Sequence, residues 1–97
     1  MIINIENVKK EAEYIVEQMY IVKMIIICNS DDKERIIKVL KRRVVYINKS
    51  DIPINKEWIR NKLWDTITKI DECEDLNDVI DDINMDIWYW NAIKELK

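Results

Sequence analysis

IENVKKEAEYIVEQMYIVKMIIIC, residues 5–28, is the stretch on which the fold turns. Its apolar residues Ile5, Val8, Ala12, Ile15, Met19, Val22 and Ile26 follow one another at spacings of 3, 4, 3, 4, 3 and 4. Residues spaced in this way share one face of a helix, so the pattern predicts a single long helix whose stripe packs on partner helices. A rival reading exists. Ile21–Cys28 and Arg43–Asn48 are rich in β-branched residues, which suit strands. Strands near 22–28 and 43–48 around a helix at 32–42 would give an α+β fold. Two observations favour helix. No helix breaker stands between Glu17 and Lys23 or between Lys38 and Arg43, and the helical phase runs through both stretches.

Polar breaks at Asn29–Asp32, Asn48–Asn55 and Asp71–Asp75 set off three further segments. In the second, Asp31 with Glu34 reads as a capping box, and Ile36, Ile37, Leu40, Val44 and Ile47 mark one face. In the third, Asn55 follows Pro53 as an N-cap, with Glu57 in the first turn and a stripe of Ile59, Leu63, Ile67 and Ile70. The fourth carries Leu76, Ile80, Ile83, Ile87 and Trp90, extended by Ile93 and Leu96. The expectation is one all-α domain of four main helices, at about 5–28, 31–48, 55–71 and 75–96.

Composition agrees. The 97 residues include no glycine, no histidine, no phenylalanine and one proline. Glycine is the usual source of positive φ in hairpins and helix C-caps. A β-rich chain without it would be hard to turn, whereas helices can end on Asn, as Asn29 and Asn48 suggest. Phosphate-cradling glycine loops are excluded as well.

The same omissions bear on chemistry. Without histidine, and with only Cys28 and Cys73, a zinc site lacks its ligands. The acidic positions lack the spacing and the glycine of a calcium loop. No metal and no cofactor is expected. Cys28 reads as a small hydrophobe at a helix end. Cys73 sits among acids that disfavour its thiolate. Two cysteines in a chain able to build its own core point to a reducing compartment, and a disulfide between them is the alternative. Ser30 and Ser50 have no histidine to act as a base. The chain therefore reads as non-enzymatic.

Glu6, Lys9 and Lys10 stand where the apolar core of a secretory leader would lie, so none is expected. The longest apolar run, Met24–Cys28, is far short of the roughly 20 residues of a membrane span. A soluble, cytoplasmic protein follows as the expectation. The richness in Ile, Lys, Asn and Asp fits an AT-rich genome, of a low-GC bacterium, a phage or a large virus.

The net charge of −3 conceals a division. Residues 31–50 carry seven basic against three acidic side chains, a net of +4, and residues 71–97 carry nine acidic against two basic, a net of −7. Asp75, Asp78, Asp82 and Asp86 recur at helical spacing away from the apolar stripe. They form either a recognition ridge for a basic partner or a solvated face. Lys38, Lys41, Arg42 and Arg43 are the basic counterpart, suited to phosphates or to local ion pairs. With a pI near 5.0, nucleic acid is the alternative partner and not the expected one.

Trp58, Trp64, Trp88 and Trp90 are many for this length. Trp88, Tyr89 and Trp90 are consecutive and point three ways on a helix, so they cannot all be core. The reading that results is a small protein-interaction module. Its most concrete form is an acidic helical inhibitor of another protein: an immunity protein, an antitoxin-like partner or a phage or viral counter-defence factor. Its partner surface comprises Asp78, Asp82, Asp86, Trp88, Tyr89 and Trp90. A homodimer is expected, and a structural oligomer or adaptor is the third possibility.

Overall fold

A computed structural model describes residues 4–72 and 74–96. It consists of four helices: α1 (Ile5–Cys28), α2 (Lys33–Lys49), α3 (Glu57–Asp71) and α4 (Leu76–Lys94). No strand occurs among the described residues. The fold is an all-α bundle, and α1 runs unbroken through Lys23 and Ile26, which disposes of the α+β alternative.

The heptad seam sets α1 in place. Ala12, Ile15, Met19, Val22 and Ile26 are fully buried. Ile5 is exposed and Val8 only half-buried, so the seam serves the core from Ala12 onwards. α1 packs chiefly on α4, and α2 chiefly on α3. Ile36, Leu40, Val44 and Ile47 enter the core from α2, and Ile59, Leu63, Ile67 and Ile70 from α3. From α4 come Val79, Ile83 and Ile87, with Leu76, Ile80 and Trp90 half-buried beside them. Leu96 is exposed and does not extend this stripe.

α1, α2 and α4 begin on an N-cap whose side chain satisfies free backbone N–H groups, and α3 is served by the residue before its N-cap. The Asn4 side chain accepts from the N–H groups of Glu6 and Asn7. The cap of α2 is Asp32, which accepts from the Arg35 N–H at 3.1 Å. The sequence offered Asp31 with Glu34, and the true register is one residue later, which puts Arg35 where a capping-box glutamate would stand. α3 shows the same offset. Lys56 holds the N-cap position, while Asn55 accepts from the Glu57 N–H at 2.9 Å. Asp75 caps α4 by accepting from the Asn77 N–H at 2.8 Å. At the other end of α1, the Asn29 side chain donates to the Ile25 carbonyl at 2.8 Å and so ends the helix without glycine. Asn48 is not a terminator. α2 continues to Lys49 and ends at Ser50.

Candidate interaction surfaces

The acidic ridge is divided by the fold. Asp75 is consumed as a cap, and Asp78 is exposed. Asp82 and Asp86 turn towards α3, where the Lys62 ammonium pairs with both, at 2.7 Å from Asp86. Lys69 adds a contact to Asp82 at 3.3 Å and one to Asp65 at 3.2 Å. Burial lowers the Lys62 pKa, but its bonds to Asp82 and Asp86 outweigh that effect and hold it above the ordinary lysine value. The bond from Lys62, with help from Lys69, holds Asp82 below the ordinary carboxylate value despite partial burial. Asp82 and Asp86 thus spend their charge on joining α3 to α4. Of the expected acidic partner residues, Asp78 is exposed and stands apart from Lys62, Asp82 stays partly exposed while paired, and the neighbour of Asp78 on the exposed face is Asp81.

The aromatic triplet is divided too. Trp90 is half-buried and meets Trp58 of α3 edge to face, with ring centroids 5.2 Å apart. Tyr89 meets Trp90 in the same way at 5.3 Å but remains 55% exposed. Trp88 is 74% exposed and Met85 69%. Along α4 the residues Asp78, Asp81, Met85, Trp88, Tyr89 and Ala92 fall at spacings of 3, 4, 3, 1 and 3. They share one face, and every one of them is exposed. α4 therefore has two apolar faces: one forms the core, and the other is an outer stripe that starts acidic and becomes aromatic.

The basic segment lies on α2. Lys38, Lys41 and Arg42 are exposed. Arg43 is not a free cation. Its Nε donates to the Gln18 side-chain oxygen at 2.9 Å, and its guanidinium lies over the Tyr46 ring at 4.5 Å. Gln18 is a buried polar side chain, so this bond satisfies an oxygen that would otherwise be costly to bury.

Beside Arg43 lies a surface that the sequence analysis did not isolate. Tyr20, Ile21, Met24, Ile25 and Cys28 of α1, with Asn29, line a shallow, open apolar depression of about 400 Å³. Ile21 and Ile25 also line an adjoining hollow of about 340 Å³, together with Val39, Arg42, Arg43 and Tyr46 of α2. The two make one groove along α1 and α2 with arginines on one wall. Its signal in the sequence was the run Met24–Cys28, because five consecutive apolar residues on a helix cannot all face one core. Cys28 is free and exposed, not a core hydrophobe, and Cys73 lies outside the described residues.

A further hollow, about 560 Å³, lies between the first half of α1 and the α2–α3 connection. Glu11, Glu13, Glu17 and Tyr14 face Ile52–Asn55 across it. Tyr14 is buried, and its hydroxyl has no hydrogen-bond partner among the described residues. Desolvation raises its pKa above that of a free tyrosine, against the lowering effect of Arg43. Among the described residues no group of three or more Cys, Asp or Glu is placed to hold a metal ion. No helix there is long and apolar enough to cross a membrane.

No known protein family matches this sequence, and neither the curated proteins nor the solved structures provide a significant match.

Proposed function

We propose that the protein is a small non-enzymatic interaction module that acts as an acidic helical inhibitor of another protein, in the cytoplasm of a bacterial or virus-infected cell. The observation that carries the reading is the outer face of α4. A tryptophan that is 74% exposed, flanked by an exposed methionine and tyrosine, is a poor use of apolar area in a chain that has no need of it for its core. Tryptophan and tyrosine are the side chains that most often anchor protein interfaces. Asp78 and Asp81 at the start of the stripe select a partner with a basic rim and suppress others. The fitting target is an apolar groove edged by Lys or Arg, the kind of surface that also handles phosphates, and an acidic helix seated there would block it. The sequence brings neither a histidine nor a paired nucleophile and base to suggest chemistry of its own. A homodimer is the expected state between encounters with the target.

The test is affinity capture from extract of the native host, read by mass spectrometry, with the intact protein and with Trp88→Ala/Tyr89→Ala. The expected result is one basic-surfaced protein retained by the intact chain, lost with the double variant, and reduced in activity when the intact chain is added back to it in pure form. Equal capture by both forms would remove α4 from the account.

A further inference from the structure

We infer that the α1/α2 groove is the docking site for the outer face of α4 from a second copy of this chain, so that two copies close on each other through two identical contacts. The inference rests on the reading of the α4 face as a recognition surface and adds the receptor for it.

Three features match groove to stripe. The first is length. Tyr20 and Cys28 stand eight residue steps apart, about 12 Å of helix, and Met85 and Ala92 seven steps, about 10 Å. Two turns of one surface fit two turns of the other. The second is chemistry. The groove offers aliphatic and thioether floor residues, Ile21, Met24 and Ile25, and the stripe offers the flat indole and phenol rings that fill such floors. The third is charge. Arg42 and the fixed guanidinium of Arg43 stand along the groove, with Lys38 one turn from Arg42, and Asp78 and Asp81 precede the aromatic stripe. Within one chain these acids and bases sit on different helices that are not each other's main packing partners. A second copy supplies the missing counterpart.

Size argues for closure. A two-turn contact on one groove is small beside the roughly 1,200–2,000 Å² of a stable interface. Reciprocal contacts, α4 into groove and groove around α4, double the area and leave neither surface exposed. That arrangement is the two-fold symmetric dimer, the commonest closed assembly.

The test uses two variants with opposite defects and sedimentation equilibrium on the full chain. Met24→Glu spoils the groove and leaves α4 intact. Trp88→Ala spoils the stripe and leaves the groove intact. Both positions are exposed, so the helical circular dichroism should be unchanged, and Arg42→Glu provides a second groove variant that leaves every apolar contact in place. The intact chain should dimerise, and each variant should weaken dimerisation about thirtyfold or more, as loss of an interface anchor does. In an equimolar mixture the mixed dimer keeps one intact contact, good groove on good stripe, where each variant alone keeps none, so it should form at lower concentration than either variant alone yet remain weaker than the intact dimer. A monomeric intact chain at high micromolar concentration would overturn the proposal. So would impairment of one variant alone: with only Trp88→Ala impaired, the contact is stripe to stripe, and with only Met24→Glu impaired, it is groove to groove. Failure here is distinguishable from failure of the inhibitor reading, because Met24→Glu keeps the α4 face and should still capture the host target.

Discussion

Lys62 is the side chain whose role is clearest at the scale of single residues. Its ammonium sits between Asp82 and Asp86 with only 11% of the side chain exposed. Removing it strips Asp86 of its ammonium partner and leaves Asp82 with Lys69 alone, at 3.3 Å. Lys62→Met should therefore destabilise the fold by about 1–3 kcal/mol in chemical denaturation, less than for a fully buried pair because Asp82 is partly solvated. Asp78→Ala, on the same helix but facing water, should change stability by less than about 0.5 kcal/mol. The pH dependence has two limbs. The lowered pKa of Asp82 gives stability that is present above the unfolded value near 3.8 and is lost as pH falls through the folded value. The raised pKa of Lys62 gives stability that is present below 10.5 and is lost as pH rises through the folded value. Lys62→Met should reduce both limbs, and what remains comes from Lys69, which still bonds Asp82 and Asp65. Tyr14 is the opposite case, a buried hydroxyl without a partner among the described residues. An unpaired polar atom costs free energy that a methine does not, so Tyr14→Phe should be neutral or stabilising by up to about 1 kcal/mol in the same denaturation measurement. A loss of more than that would show that the hydroxyl is bonded in solution.

Among the elements, what could be read from the chain and what could not divide along a physical line. Local information placed the helices. The seam of α1, the stripe of α3 and the polar breaks gave boundaries within two residues, because a stripe that must be buried fixes the phase of its helix. Caps were less certain, since Asp31 and Asp32 are equivalent in a sequence and differ only once the backbone chooses a turn. Asp32→Ala should therefore cost about 1 kcal/mol in thermal unfolding, and Asp31→Ala almost nothing; equal costs would mean that both share the cap. Pairings between helices were not legible at all. Nothing in the spacing of Lys62 says that it will meet Asp82 and Asp86 twenty or more residues later, so the sequence alone does not separate these two acids from the rest of the ridge. The exposed stripe of α4 was half legible. Three consecutive aromatics had to diverge, but which of them escaped the core depended on Trp58 claiming Trp90 as its edge-to-face partner. The groove was legible only as an excess, a C-terminal half of α1 more apolar than one face can use.

At the scale of the whole molecule, the separation of charge acquires a role that the net value of −3 hides. A free acidic face and a free basic face on one chain attract copies of themselves, and the attraction acts at the rim of an apolar contact, where it steers and selects more than it binds. Rim charges are screened over about 8 Å at physiological salt, whereas buried apolar area is not weakened by moderate salt. Self-association should therefore weaken several-fold between about 50 and 500 mM sodium chloride without disappearing. The sharper measurement is a charge exchange. Reversing Asp78 and Asp81 to Lys should weaken the dimer, and reversing Lys38 and Arg42 to Glu should weaken it similarly, each by about 1–2 kcal/mol. A chain carrying all four reversals has its acids on the groove wall and its bases at the head of the stripe. In a reciprocal dimer every rim contact is again between opposite charges, so the fourfold variant should recover most of the lost affinity. Additive losses in sedimentation equilibrium would mean that these charges never face each other, and that the acidic and basic surfaces answer to two different partners.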